Sequence, residues 1–183
     1  MRFSIVSTVL ACALSVSAAA FEKRAVTAAT QLCITDLVAV SNQLTTVTNG
    51  VNSYTASKGY IGALTVQSQE STLETKLSTA GTDCCKVTIV VSEEDANAVI
   101  AEIAPLTTQI TTTLSTIVTK KPVFDSVALV TPLVKGDITS LHSKTVIIIN
   151  CLLAVTPTDL LATAQGYANQ IESAFQAAIA AYA

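Results

Sequence analysis

Apolar residues recur every three or four positions through most of this 183-residue chain, and this spacing restricts its possible folds more than any other feature. Such steps follow one face of an α-helix, whereas a half-buried strand alternates every second residue. The pattern divides into five segments, at about 26–48, 60–80, 93–119, 126–148 and 157–182. Because the links between them are mostly short, the sequence predicts an all-α fold, a five-helix up-and-down antiparallel bundle.

Residues that end or cap helices set the expected boundaries. The Asn-Gly pair at 49–50 should end the first helix, because both residues tolerate left-handed dihedrals. Pro105 should kink the third helix without ending it, since the apolar stripe continues in register. The Lys-Lys-Pro run at 120–122 should form the next turn, with Asp125 capping the fourth helix. The Thr-Pro pair at 156–157 should begin the last helix.

The segment between the second and third helices has a different composition. Residues 87–91 have strand propensity, but a single strand has no partner, so we expect an extended connector. Ser92 can then cap the third helix, and Asp95, three residues later, can reciprocate.

The first 24 residues resemble targeting segments. Arg2 precedes an apolar run at 5–16 that is too short to span a bilayer, and small residues follow at 17–20. We therefore predict a signal peptide over 1–20 and a short pro-segment over 21–24 that ends in the processing pair Lys23 and Arg24. A single helical-bundle domain over 25–183 remains, which we expect to be secreted and to lie outside the cell or in the cell wall.

Charge excludes several classes of partner. After residue 24 the chain has seven lysines, no arginine and twelve acidic residues, a net charge of −5. Nucleic-acid binding needs a basic surface, and anionic lipid headgroups attract basic segments, so neither partner is expected. No stretch after residue 25 has about 18 uninterrupted apolar residues, so we expect no membrane span.

Four cysteines remain in the expected mature chain: Cys33, Cys84, Cys85 and Cys151. An even number in an oxidising compartment indicates disulfides, although four free thiols are the alternative. An alternating bundle brings all four to one end. Because a vicinal bridge strains the backbone, we expect Cys33 to pair with one of the two neighbours and Cys151 with the other. Which neighbour each one takes stays open.

Catalytic patterns are not found in the sequence. His142 is the only histidine, and no Cys-x-x-Cys, His-Glu-x-x-His, Gly-rich phosphate loop or Gly-x-Ser-x-Gly occurs after the leader. The acidic run at 93–95 is explained by the preference of a helix start for negative charge. We therefore predict a protein that is not an enzyme, with no cofactor and no metal site.

The leader, the Lys-Arg site and the Ala/Thr/Ser-rich helices resemble the hydrophobic surface binding protein A family, which are fungal cell-wall galactomannoprotein-like proteins. The run at 120–124 between two long helices and the stretch at 171–175 also match, and the resemblance covers 25–183. It implies binding of hydrophobic surfaces, recruitment of secreted hydrolases and fatty acids held inside the bundle. Cell-wall polysaccharide is a further partner that such proteins suggest.

We therefore expect long-chain fatty acid or another lipid to bind in an apolar cavity between the helices. Alternatives are a structural cell-wall mannoprotein with a solid core, or a secreted effector that binds host lipid or protein. Periodicity alone cannot distinguish a filled core from a hollow one. The candidate lining residues are those on inward faces: Leu37, Val40, Leu44, Leu64, Leu73, Ile103, Leu106, Ile110, Phe124, Val127, Leu141, Ile171 and Phe175.

Overall fold

The computed structural model describes residues 26–183, so the expected signal peptide at 1–20 and the pro-segment with Lys23 and Arg24 lie outside the described residues. The helices are α1 (Ala28–Ser53), α2 (Gly59–Cys84), α3 (Glu93–Asp125), α4 (Val130–Val155) and α5 (Thr158–Ala181), with a short 3-10 turn at Ala56–Lys58. Residues 26–183 contain no strand, and 87–91 form the extended connector that the sequence predicts. The all-helical prediction is confirmed.

The helices alternate in direction along the chain and close into a ring. Each helix packs mainly against two others, in the order α1, α2, α4, α5, α3 and back to α1. Because α2 and α3 are not adjacent in this ring, the connector crosses the end of the bundle to join them. The ring also makes α1 and α3 parallel neighbours, as hydrogen bonds from Ser41 to Gln109 and between Thr48 and Thr113 show.

Two disulfides join the helices at one end of the bundle, which we call the disulfide end. Cys33 pairs with Cys84, and Cys85 pairs with Cys151. The bridges link the start of α1 to the end of α2 and the end of α2 to the last turns of α4. This confirms that Cys33 and Cys151 each bond to one of the two neighbouring cysteines, and it fixes which one.

The first helix does not end at residues 49–50, as expected, but continues to Ser53. Gly50 instead faces α2, where a Cβ atom would lie 2.2 Å from Oε1 at the flexible end of the Gln69 side chain. Gln43, two turns earlier, donates from its side-chain amide to the carbonyl oxygen of Gln69. The glycine therefore serves the contact between α1 and α2 rather than termination.

The expected turn at 120–122 is also wrong, because α3 runs through both Pro105 and Pro122 to Asp125. Burial offsets the backbone bond lost at Pro122, since Phe124 is 3% exposed and packs on Tyr54 with ring centroids 5.3 Å apart. Lys120 donates to the carbonyl oxygens of Asn52 and Tyr54, so it supplies hydrogen bonds to carbonyl groups that the end of α1 leaves unpaired.

Three caps differ from expectation. Ser92 accepts from the Asp95 N–H as predicted, but the Asp95 carboxylate accepts from the Thr27 N–H instead of reciprocating. Asp125 ends α3 and accepts from the Thr131 hydroxyl, while α4 begins at residue 130 after Leu129 in a left-handed conformation. Thr156 terminates α4, which ends seven residues later than expected, so Thr156 does not cap α5.

Candidate ligand-binding site

An apolar cavity lies inside the disulfide half of the bundle. Its accessible volume is about 100 Å³, whereas a single water molecule needs roughly 10–15 Å³ on the same scale. All five helices and the connector contribute to its walls. The lining includes Leu37 and Val40 from α1, Leu77 from α2, Val87 and Val91 from the connector, Val99, Ile100, Ile103, Leu106 and Ile110 from α3, Ile148, Ile149, Leu152 and Leu153 from α4, and Tyr167, Ala168 and Ile171 from α5.

The walls are incompletely covered although their side chains are apolar and point inward. Seven of the apolar side chains on α3 and α4 are only half-buried: Val99, Ile100, Ile103, Ile110, Ile149, Leu152 and Leu153. By contrast, Leu37 and Val40 on the opposite wall are each 2% exposed. Protein interiors are normally packed as densely as organic crystals, so half-buried inward side chains mark a space that the protein leaves unfilled.

The composition of α4 follows from this space. By length and hydropathy α4 could cross a membrane, with a mean hydropathy of 1.6 in its most apolar window. Only 28% of that window is buried, yet the helix is bonded to α2 through Cys151 and packs against α2 and α5. Its last two turns are apolar on several faces because one face meets the core and the next lines the cavity.

The connector covers the cavity at the end of the bundle. Val87 and Val91 turn inward, whereas Ile89 and Val90 are 75% and 63% exposed. Two bonds hold this cover to α4, namely the Cys85–Cys151 disulfide and a 2.9 Å hydrogen bond from the Val91 N–H to the Val155 carbonyl oxygen. The cover is therefore fixed at both of its ends and free of the core in its middle.

Few polar groups reach the cavity. The hydroxyls of Thr145 and Thr156 donate to carbonyl oxygens in their own helix, and the Thr30 hydroxyl accepts from Thr27. The hydroxyls of Thr30 and the half-buried Tyr167 can therefore donate to a ligand. Among residues 26–183, no charged side chain lines the cavity. The site can therefore hold a long apolar group, and any charged head group must lie near solvent.

A second, smaller cavity lies toward the opposite end of the bundle and offers about 40 Å³ by the same measure. Its walls combine apolar residues of four helices with Gln67, Glu70 and Asp137. Burial, followed by the negative charges of Asp137 and Glu74 and a hydrogen bond with the Glu74 carboxyl, raises the pKa of Glu70 to about 8. Burial and the charge of Glu74 raise the pKa of Asp137 to about 6. This cavity is acidic, unlike the first.

The candidate lining residues divide into three groups. Leu37, Val40, Ile103, Leu106, Ile110 and Ile171 line the first cavity. Phe124 and Leu141 line the second. The remainder, Leu44, Leu64, Leu73, Val127 and Phe175, line neither; three are buried in the core, while Leu64 and Val127 are half-buried. An inward stripe identifies the face of a helix, but whether a position along it meets packed atoms or empty space depends on the neighbouring helices.

Sequence reasoning missed the connector residues Val87 and Val91 and the end of α4. The available signal was the run at 146–155, which is apolar at nearly every position and so exceeds what one core-facing stripe needs. Because the fourth helix was expected to end near 148, residues 149–155 were not predicted to line the cavity.

The groups that could suggest catalysis have structural partners. Nε2 of His142 lies 2.8 Å from Oε2 of Glu172, and this bond lowers the pKa of the Glu172 carboxyl. The imidazole also packs on Phe175, with centroids 5.1 Å apart. Within residues 26–183, no group of three histidine, cysteine or acidic side chains is placed to hold a metal ion.

Comparison with known proteins connects the geometry to relatives. The family described as hydrophobic surface binding protein A matches residues 30–154. The crystal structure of Afmp4p in complex with palmitic acid is 29% identical, with a TM-score of 0.78 over 84% of this chain and 99% of that one. No curated protein sequence matches.

Two further solved structures share the fold. Ligand binding domain 1 of the Penicillium marneffei MP1 protein, complexed with arachidonic acids, is 17% identical, with a TM-score of 0.76 over 85% of this chain and 99% of that one. Domain 2 of the same protein, complexed with multiple arachidonic acids, is 15% identical, with a TM-score of 0.71 over 85% and 94%.

Proposed function

Because this chain belongs to the hydrophobic surface binding protein A family, we propose that it is a secreted, non-enzymatic protein that binds a long-chain fatty acid in the cavity at the disulfide end. The observation that carries this proposal is the set of inward apolar side chains on α3 and α4 that remain half-buried. An acyl chain would cover them. The palmitic acid bound by Afmp4p, which has the same fold, supports this class of ligand.

The energetics favour a long chain. Burying about 16 methylenes at about 0.8 kcal/mol each gives roughly 13 kcal/mol, against an association cost of about 4–15 kcal/mol. A chain of about six carbons gives only about 5 kcal/mol and should barely bind. The side chains that a long acyl chain would cover lie largely on α3 and α4, which contact each other little.

The head group should remain at the rim. No lysine or arginine lines the cavity, so the carboxylate has no cation to pair with inside. The Tyr167 hydroxyl can donate one hydrogen bond, and water can supply the others. Recognition should therefore depend on chain length much more than on the head group.

The test is a calorimetric titration of the full mature chain with saturated acids of increasing length, alongside mass spectrometry of lipid extracted from the purified protein. We expect affinity to rise steeply with length. Ile103→Trp and Ile110→Trp fill the cavity and should weaken binding at least ten-fold. Ile147→Trp is the matched control, because that side chain lies on α4 and is 56% exposed. Affinity that ignores both chain length and the two cavity substitutions would contradict the proposal.

A second candidate function, binding to apolar surfaces, is favoured by the exposed Ile89 and Val90 on the connector. These two side chains would be the first apolar contact at the disulfide end. Replacing both with serine should reduce adsorption to a hydrophobic surface while leaving fatty-acid affinity unchanged. A solid-core wall mannoprotein is disfavoured by the unfilled cavity, and an effector that binds host lipid would use the same site.

A further inference from the structure

Glu70 is an unusual residue for the interior of this bundle. Its side chain lies on α2, is 5% exposed, and lines the second cavity. Within the described residues, its Oε1 atom is buried without a hydrogen-bond partner. Buried polar atoms are normally paired, so a carboxyl oxygen left open toward a cavity requires an explanation.

The charges around Glu70 have one dominant sign. Asp137 faces it from α4 and Glu74 lies one turn along α2. In the part of the chain that the structure describes, Lys144 is the one nearby cation, and it lies 4.0 Å from the Glu74 carboxylate. The walls supplied by α1 and α3 are uncharged: Val47, Val51, Ile117 and Phe124. Three carboxyls therefore share one lysine, and that lysine lies nearest to Glu74.

This arrangement discriminates between ligands by charge. A carboxylate entering the cavity would meet carboxyl groups and no unpaired cation. An ammonium group would gain the hydrogen-bond acceptor that Glu70 leaves unused and the positive charge that the cluster lacks. The pKa values of Glu70 and Asp137 are raised because burial and the nearby negative charges make both carboxyls costly to ionise. These raised values agree with a lack of positive charge at the cluster.

We infer that the second cavity is a separate site for a small amphiphilic amine, whose ammonium donates to Glu70 and whose alkyl chain lies against Phe124 and Leu141. The cavity is less than half the size of the fatty-acid cavity, so it suits a short chain. No residue lines both cavities. The inference goes beyond the fatty-acid proposal and does not depend on it.

Binding should release a proton. Below pH 8 the Glu70 carboxyl is mainly protonated, whereas an alkyl ammonium, like a lysine, stays charged up to about pH 10. Pairing requires the carboxylate, so amine affinity should rise as the pH increases from about 6 to 8. The apparent heat of binding should also vary with the ionisation enthalpy of the buffer.

The experiment compares octylamine, octanol and octanoate, three ligands with one chain length and different head groups, by calorimetry on the full mature chain. Octylamine should bind most tightly and octanoate least. Glu70→Gln should weaken octylamine by roughly ten-fold or more, the size of one charge-assisted hydrogen bond, and leave octanol unchanged. Glu102→Gln is the matched control, since that half-buried carboxyl lies on α3 and lines neither cavity.

Three outcomes would overturn the inference: octanoate binding as tightly as octylamine, unchanged octylamine affinity in Glu70→Gln, or displacement of palmitate by octylamine. Should Glu70→Gln fail to fold, Asp137→Asn tests the same charge cluster and should weaken octylamine several-fold. A failure of the fatty-acid proposal would show in the palmitate titrations alone, so the two results are distinguishable.

Discussion

The N–H of Val91 donates a 2.9 Å hydrogen bond to the carbonyl oxygen of Val155, and both side chains line the larger, apolar cavity. The bond joins the connector to the last residue of α4 across the end of the bundle. Together with the Cys85–Cys151 disulfide, it determines how firmly the connector covers the cavity. Ligand exchange at this end should therefore depend on the bond.

Val91→Pro should speed fatty-acid dissociation. Proline removes the N–H while keeping an apolar side chain, and the loss of one hydrogen bond of about 0.5–1.5 kcal/mol corresponds to a rate roughly two- to ten-fold higher. Stopped-flow displacement of a fluorescent fatty acid measures this rate. Val90→Pro is the matched control, because that residue is 63% exposed on the same connector. Equal rates in the two variants would show that ligand leaves by another route.

Periodicity was sufficient to predict the helices but not all of their ends. Local signals at Gly50 and Pro122 normally terminate helices, yet here both residues lie inside one. Packing between helices decides the outcome, through the close approach of Gln69 to Gly50 and the burial of Phe124. Such contacts form between residues far apart in sequence, so a local pattern does not contain them.

The candidate site was predictable only in part, for a related reason. Ile103 and Phe175 both lie on inward stripes, but Ile103 borders the cavity and Phe175 packs in the core. The difference arises from the ring order of the helices, which places α5 between α3 and α4. The cysteines predicted that end correctly, because the alternation of helices constrains their positions more strongly than it constrains the spaces between side chains.

Removing each disulfide should destabilise the fold to a different extent. The bridges span 51 and 66 residues, so the chain-entropy account gives about 4 kcal/mol for each, with little difference between them. Cys33 and Cys84 are 2% and 1% exposed, whereas Cys85 and Cys151 are half-buried. A serine pair at 33 and 84 therefore buries two hydroxyls and should cost about 1–3 kcal/mol more than the pair at 85 and 151. Urea unfolding of the two double variants measures the difference, and the reverse order would contradict the burial argument.

Leu129→Gly should stabilise the protein despite removing a large apolar side chain. Leu129 has a φ of 70° and is 69% exposed, so it carries backbone strain without contributing much burial. Glycine adopts this conformation without a steric penalty, but a glycine chain has more conformational entropy when unfolded. We expect the free energy of unfolding to rise by a net amount of about 0.5–1 kcal/mol. Leu129→Ala is the control, because it removes the side chain but keeps the strain. Equal stability of the glycine and alanine variants would show that the strain is not significant.

Stability should fall as the pH rises from about 4.5 to 8. The pKa of Glu70 is raised from 4.5 to about 8 in the folded chain, so over this interval the folded state binds more protons than the unfolded state. Stability decreases with pH wherever that holds, by about 1.4 kcal/mol for each unit of pKa difference at most. Asp137, whose pKa is raised from 3.8 to about 6, adds to the decline at the acidic end.

We expect a total loss of roughly 2–4 kcal/mol from Glu70, measured by urea unfolding at half-unit pH steps. Glu70→Gln should flatten the curve between pH 6 and 8, whereas Glu102→Gln should leave its shape unchanged. A curve for the unsubstituted chain that stays flat or rises across this interval would contradict a raised pKa of Glu70.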